Sequence, residues 1–137
     1  MRGKGKLAAC LAGAVVASLL TGCAVALVAG GAAAGAGAVA WYQGALRTTL
    51  GKPMASVREA TVLSLQKSGN GVVSDQGDVT SAEIKTVLSD GSDVVVRLKS
   101  ASSTATEVSV RIGTMGDRAR SQAILDDIAK RAGIATP

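Results

Sequence analysis

Phenylalanine and histidine are absent from this chain of 137 residues, and its two aromatic side chains are the neighbours Trp41 and Tyr42. Without histidine, the commonest general base and the commonest transition-metal ligand are both missing. Without phenylalanine, any core must be aliphatic, and a small core of that kind gives modest stability. There are two cysteines, Cys10 and Cys23, and two prolines, Pro53 and Pro137. Charge of one sign is also scarcer than it first looks. Lys and Arg number 15 against 10 Asp and Glu, a net charge of +5. Three of these cations, Arg2, Lys4 and Lys6, lie within the first six residues, which leaves 12 against 10 for the rest. No basic run is interleaved with aromatics, so a nucleic-acid partner is not expected.

What is present begins with an ordered N-terminal pattern. Met1 to Lys6 is short and basic, Leu7 to Leu19 is an unbroken apolar stretch, and Leu20-Thr21-Gly22-Cys23 follows. Basic start, apolar centre and small residues at a cut site are the layout of a secretory signal. The last four residues resemble the lipobox of bacterial lipoproteins. That resemblance implies a diacylglycerol thioether on Cys23, cleavage after Gly22 and acylation of the new α-amine. Thr21 and Gly22 are small enough to admit a peptidase, and the Cys23 sulfur is the nucleophile. Two or more acyl chains hold a protein to a bilayer where one does not. Cleavage would leave Cys23 as the last cysteine, so a disulfide framework is excluded. Two plainer alternatives are a cleaved signal with an incidental cysteine and a spanning helix from Leu7 to Val28. Ala24 follows the cysteine, and by analogy with enteric-type sorting the expected location is the periplasmic side of the outer membrane.

Ala24 to Ala40 reads AVALVAGGAAAGAGAVA, with no charge and no hydrogen-bonding side chain. The glycines favour an apolar tether near the membrane over a second helix. Gly31 and Gly35, four apart, would alternatively form a small-residue packing face. Trp41 and Tyr42 stand where interfacial aromatics would sit, or begin the fold.

From Tyr42 onward the periodicity changes. Tyr42, Gly44, Leu46, Thr48 and Leu50 alternate with polar or small residues, which predicts one strand. Gly51-Lys52-Pro53 opens a helix to about Lys67, with Val57, Ala60, Thr61, Ser64 and Leu65 on one face. A Ser56/Glu59 capping box offers a start three residues later. Val72 to Asp75 is a short strand candidate and Gln76-Gly77-Asp78 a turn. Ala82, Ile84, Thr86 and Leu88, then Asp90-Gly91, then Val94, Val96 and Leu98 make a strong hairpin signal. Ser100 to Thr106 reads as a loop, and Val108, Val110 and Ile112 as the inward side of another strand. Asp117 caps a last helix with a stripe of Ser121, Ile124, Leu125, Ile128 and Ala132, and Gly133 ends it. The expected fold is α+β, in the order β-α-β-β-β-β-α. Its sheet is mostly antiparallel, of four to five strands, with two helices on one face. The expected organisation is a signal over residues 1–22, a lipidated cysteine and tether over 23–41, and a domain over 42–137.

These features together resemble the small proteobacterial lipoproteins of the domain-of-unknown-function 3568 family. The residues that carry the resemblance are the lipobox, the Gly/Ala tract, Gly44 and Leu46, the Val57/Ala60/Thr61/Leu65 helix and Asp90-Gly91. To these are added Val108-x-Val110-x-Ile112-Gly113, Gly116-Asp117, and Ser121 with Ile124, Leu125 and Ile128. The family's plan is similar to helix-grip domains of outer-membrane assembly lipoproteins, in fold and not in role. Arg58 departs from the family, standing where an aromatic or apolar residue is common. The resemblance brings no catalytic residues.

The remaining chemistry is sparse. Asp126 and Asp127 are adjacent on a helix and point about 100° apart, so they form no acid–base pair. Asp75, Asp78, Asp90 and Asp93 lack the spacing of a calcium loop, and turn chemistry explains them. No Gly-x-Ser-x-Gly elbow exists, and Gly113-x-x-Gly116 is too short for a phosphate loop. The chain is therefore expected not to be an enzyme and to need no metal or cofactor. The expected partners are the membrane, through the N-terminal lipid, and another envelope protein. The expectation is a lipid-anchored structural or interaction module. The alternative is a small-ligand or lipid-binding domain with space left by Gly44, Ala60 and Ser64.

Overall fold

A computed structural model describes residues 37–135 of the chain. Its elements are β1 (Ala40–Tyr42), β2 (Ala45–Leu50), α1 (Met54–Ser68), β3 (Gly69–Gly77), β4 (Ser81–Leu88), β5 (Asp93–Ser102), β6 (Ala105–Ile112) and α2 (Arg118–Arg131). The strands form one sheet in the order β1-β2-β6-β5-β4-β3, with every neighbouring pair antiparallel. The chain leaves β2, crosses the sheet as α1, and enters β3 at the far edge. It then returns strand by strand until β6 pairs with β2. The α+β order is as expected, but the sheet has six strands and not four to five.

The extra strand comes from the start of the domain. Tyr42 to Leu50 is not one strand. Gln43 and Gly44 both take positive φ, 50° and 75°, and Tyr42 pairs with Ala45 across a two-residue turn. Two left-handed residues in succession match the twist of a hairpin. Glutamine is an uncommon first member of such a turn, which is why alternation alone misreads it. Gly44 is needed for space as well as for φ. A Cβ there would lie 2.8 Å from the Met115 carbonyl oxygen, and a Cβ on Gly116 would collide with the Gly44 backbone. The β1–β2 turn and the loop before α2 therefore touch backbone to backbone. Residues 37–41, assigned from the sequence to the tether, are bonded into this edge. The Gly37 amide donates to the Thr49 carbonyl at 2.6 Å, and Thr48 Oγ1 donates to the Gly37 carbonyl at 2.8 Å.

Two further segments differ from expectation. The stretch Ser100 to Thr106 is not a loop, because β5 runs to Ser102 and β6 starts at Ala105. Its hydroxyls suggest a loop, yet Thr is well suited to a pleated surface. Thr106 is fully buried, and its Oγ1 donates to the Lys52 carbonyl at 2.9 Å. Strand β3 begins directly after α1 and extends to Gly77, with register shifts between Gly69 and Ser74.

Alternation sends one side of the sheet inward. Leu46, Leu50, Ile84, Val94, Val96, Leu98, Val108, Val110 and Ile112 are all buried there. Both helices cover this face, α1 over β3 to β5 and α2 over β2 and β6, side by side. Helix α1 buries Met54, Val57, Ala60, Thr61, Ser64 and Leu65. The Val57 amide donates to the Pro53 carbonyl at 3.2 Å, so the helix starts before the Ser56/Glu59 box. Helix α2 is capped by Asp117, which accepts from the Arg120 amide at 3.0 Å. At its other end Gly133 has φ 76°, and the Ile134 amide reaches the Ala129 carbonyl at 2.9 Å. This arrangement turns Ile134 back into the core. Ala129 is buried on the inner stripe, and Ala132 packs only at its margin. Trp41, opposite Leu46, extends the core at the sheet edge.

The buried threonine hydroxyls follow a simple rule. Thr48, Thr61, Thr86 and Thr106 each donate to a backbone carbonyl. The buried hydroxyl of Ser121 has no partner. Removing an unpartnered buried hydroxyl relieves desolvation, whereas enlarging a small residue in a packed layer costs about 1–3 kcal/mol. Ser121→Ala is therefore expected to leave the urea midpoint unchanged or raised. Ala60→Leu is expected to lower it by an amount corresponding to about 1–3 kcal/mol.

Candidate functional site

Among the described residues nothing covers the sheet face opposite the helices, and its composition is the reverse of the core. Arg47 and Thr49 (β2), Glu107, Ser109 and Arg111 (β6), Asp93, Val95, Arg97 and Lys99 (β5), and Glu83, Lys85 and Val87 (β4) point outward by alternation. Strand order brings them into rows. Glu83 is opposite Arg97, Arg97 opposite Ser109, and Ser109 opposite Arg47. Neighbouring strands lie about 4.8 Å apart, so this row crosses four strands.

Several side chains in the rows are held in place. Glu83 binds Lys85 at 2.6 Å and Arg97 Nε at 2.7 Å. The hydrogen bond from Lys85, then that from Arg97, holds the Glu83 carboxyl below its ordinary pKa. The Arg47 guanidinium lies 5.3 Å from the ring centre of Tyr42, a cation–π contact. Tyr42 is 54% exposed. Arg111 donates to the carbonyls of Gly113 and Thr114. Lys99 faces Glu107 across β5 and β6. Between them lies a shallow depression of about 330 Å³, lined chiefly by Arg47, Arg97, Lys99, Glu107 and Ser109. Three cations and one carboxylate give it a positive field suited to an anion.

A second depression, of about 370 Å³, lies beside the start of α1 between Pro53, Met54, Arg58, Val79 and Ser102. Arg58 grips Asp75 from there with Nε and Nη2, at 3.1 and 2.8 Å to Oδ1. Arg58 thus ties α1 to β3.

The acidic residues considered for calcium are spread out. Asp75 is bound to Arg58. Asp90 accepts from the Ser92 amide at 3.0 Å and meets Arg120 at 2.8 Å. Asp93 opens β5. Asp78 accepts from the Thr80 amide and hydroxyl and from the Ser81 amide. Among the described residues no three Cys, Asp or Glu side chains gather as a metal site. Asp126 accepts from Gln122 and Asp127 from Arg131, so each has its own partner on α2. Leu20, Thr21, Gly22 and Cys23 lie outside the described residues, as do residues 24–36 of the tether and the alternative span Leu7 to Val28. No described helix is long and apolar enough to cross a membrane.

The cationic rows are the candidate feature that reading along the chain misses. Each member is visible as an outward position in an alternating run. Their adjacency is not, because Arg47 meets Ser109 only through the β2–β6 pairing.

A family model described as protein of unknown function (DUF3568) matches residues 6–131. No curated protein matches the chain.

Asp78 generates a pH prediction. The Thr80 hydroxyl, followed by the amides of Thr80 and Ser81, lowers its pKa from 3.8 to about 2. A carboxyl more acidic in the fold than in the unfolded chain stabilises above the unfolded value, and that contribution is lost as pH falls through the folded value. Acid titration of stability is expected to show a decline between pH 3.8 and about 2. The decline should be shallower in Asp78→Asn, which keeps an acceptor without the charge change.

Proposed function

Starting from the fact that the chain belongs to the DUF3568 family, whose description assigns no activity, we propose that it is a lipid-anchored envelope lipoprotein. On this reading it is a structural or interaction module, held by Cys23 to the periplasmic side of the outer membrane. The observation that carries the reading is the order of the first 23 residues: three cations, an apolar stretch, then Leu20-Thr21-Gly22-Cys23. Each part is what export and thioether formation require at that place.

The described fold supports the module half of the reading. Its helices and apolar sheet face satisfy one another, and its polar sheet face is open. Residues 24–36 separate Cys23 from Gly37, where the described fold begins. Thirteen residues reach at most about 45 Å, which would keep the start of the domain within that distance of the anchor. The alternative, a ligand held between helices and sheet, has less support. Gly44, Ala60 and Ser64 were the residues expected to leave it room. Ala60 and Ser64 are buried, and Gly44 abuts the Met115 carbonyl.

Mass spectrometry of the mature N-terminus tests the anchor. The wild type is expected to begin at a diacylglyceryl Cys23. Cys23→Ser is expected to retain the uncut leader and lose the lipid mass. An unmodified N-terminus, or an uncut leader in the wild type, overturns the proposal.

A further inference from the structure

We propose that the row Arg47–Ser109–Arg97, with Lys99 beside it, is a binding subsite for a phosphate group. The inference deepens the reading of the domain as an interaction module with an open polar sheet face, and rests on it, but it does not depend on the lipid anchor.

The argument starts with spacing. Arg47 and Arg97 are the two flanking partners of Ser109 in register, so the arginines lie two strand spacings apart, about 10 Å between backbones. The residue between them has one of the shortest polar side chains. A long side chain at position 109 would fill the gap, whereas serine leaves the depression and adds a hydroxyl donor. Lys99 enters from the adjacent row and supplies a third cation to the same depression.

The second step is orientation. Glu83 holds the Nε of Arg97 at 2.7 Å, which leaves the two terminal nitrogens of that guanidinium for a ligand. Tyr42 supports the Arg47 guanidinium from one side at 5.3 Å. An arginine already positioned loses less side-chain entropy on binding. A planar fork matches two oxygens of a phosphate, and a lysine adds a point charge. Glu107, also in the lining, sits opposite Lys99, and Glu83 is bound to Arg97 and Lys85, so Arg47, Lys85, Arg97 and Lys99 outnumber two carboxylates. Arg97 remains 64% exposed, so binding is screened by salt and an isolated phosphate binds weakly.

A soluble phosphate compound and an anionic lipid headgroup share this chemistry. The test uses the full chain, isotopically labelled, in a neutral detergent. Amide resonances are followed on adding inorganic phosphate, and separately short-chain phosphatidylglycerol below its micelle concentration, with chloride matched. Shifts are expected to concentrate at Arg47, Arg97 and Ser109. Arg47→Gln or Arg97→Gln should weaken the response about tenfold, the loss expected for a charge-assisted contact. Lys130→Gln, on α2, should leave it unchanged, and retained dispersion of core resonances shows each variant folded. Tighter binding of phosphatidylglycerol identifies the headgroup as the source. Equal or tighter binding of inorganic phosphate identifies a soluble ligand, and either result supports the subsite. Shifts that are absent, that spread equally over Lys52, Lys67 and Lys130, or that persist undiminished in Arg47→Gln overturn it. A negative result here with a lipidated Cys23 removes the subsite and leaves the anchor standing.

Discussion

Everything in this fold depends on covering a sheet face made of valine, leucine and isoleucine with no phenylalanine available. Four of the six strands present Leu46, Ile84, Val94, Val96, Leu98, Val108 and Val110 in one layer, each almost fully withdrawn from water. Aliphatic side chains stand at similar heights above a sheet, so the layer they make has few projections. Helices that approach it must bring small contact surfaces or leave voids, and voids forfeit dispersion contacts. Helix α1 does this with Ala60, Thr61 and Ser64, and α2 with Ser121 and Ala129. Both helices lie on that face, and among the described residues their buried sides are what complement it. The opposite face is polar.

The small contact residues have a polar cost that the fold meets locally. Threonine appears at four buried positions among the described residues, and each hydroxyl donates to a backbone carbonyl. Thr48 and Thr106 also join elements, since their acceptors lie on the entering chain at Gly37 and in the β2–α1 connection at Lys52. The closure between Gly44 and Gly116 works alongside them at the other end of β2. There the two backbones approach so closely that no Cβ fits on either side. Edge strand β1 is thereby fastened at both ends, by Gly37 to Thr49 and by the turn against Met115.

Which parts of this were legible along the chain follows from the range of the interaction that decides them. The α1 face, the Asp117 cap, the Gly133 stop and the Asp90-Gly91 hairpin are decided within a few residues and read correctly, while the α2 stripe ends on Ala129 and not on Ala132. The Gln43-Gly44 turn is also local, but Gly44 fits the alternation of its neighbours, so the break is hidden by a side chain that is absent. Ser100 to Thr106 misleads because hydroxyl-rich composition is common to loops and to sheet positions with a carbonyl within reach. The supplier of that carbonyl for Thr106 is Lys52, in a distant part of the chain. The cationic rows are the extreme case. They exist only in the order β2-β6-β5-β4, which no local pattern encodes.

The same reasoning separates two meanings of a basic sequence. The net charge of +5 is inflated by Arg2, Lys4 and Lys6, and the remainder is close to balance. Yet balance over a chain does not imply balance over a surface. Arg47, Lys85, Arg97, Lys99 and Arg111 share the open face with Glu83, Asp93 and Glu107, so this single face carries a surplus of +2, equal to that of the whole chain beyond its first six residues. The helix side is consequently neutral in sum, with Arg58, Arg120 and Arg131 each bound to an aspartate. A field confined to one side has a direction, which a uniformly basic protein of the same net charge lacks. Within a Debye length of about 8–10 Å, that direction decides which side of the domain turns toward an anionic surface or solute. The aliphatic core therefore shapes the electrostatics as well as the fold. By forcing both helices onto one face, it leaves the other free to collect charge.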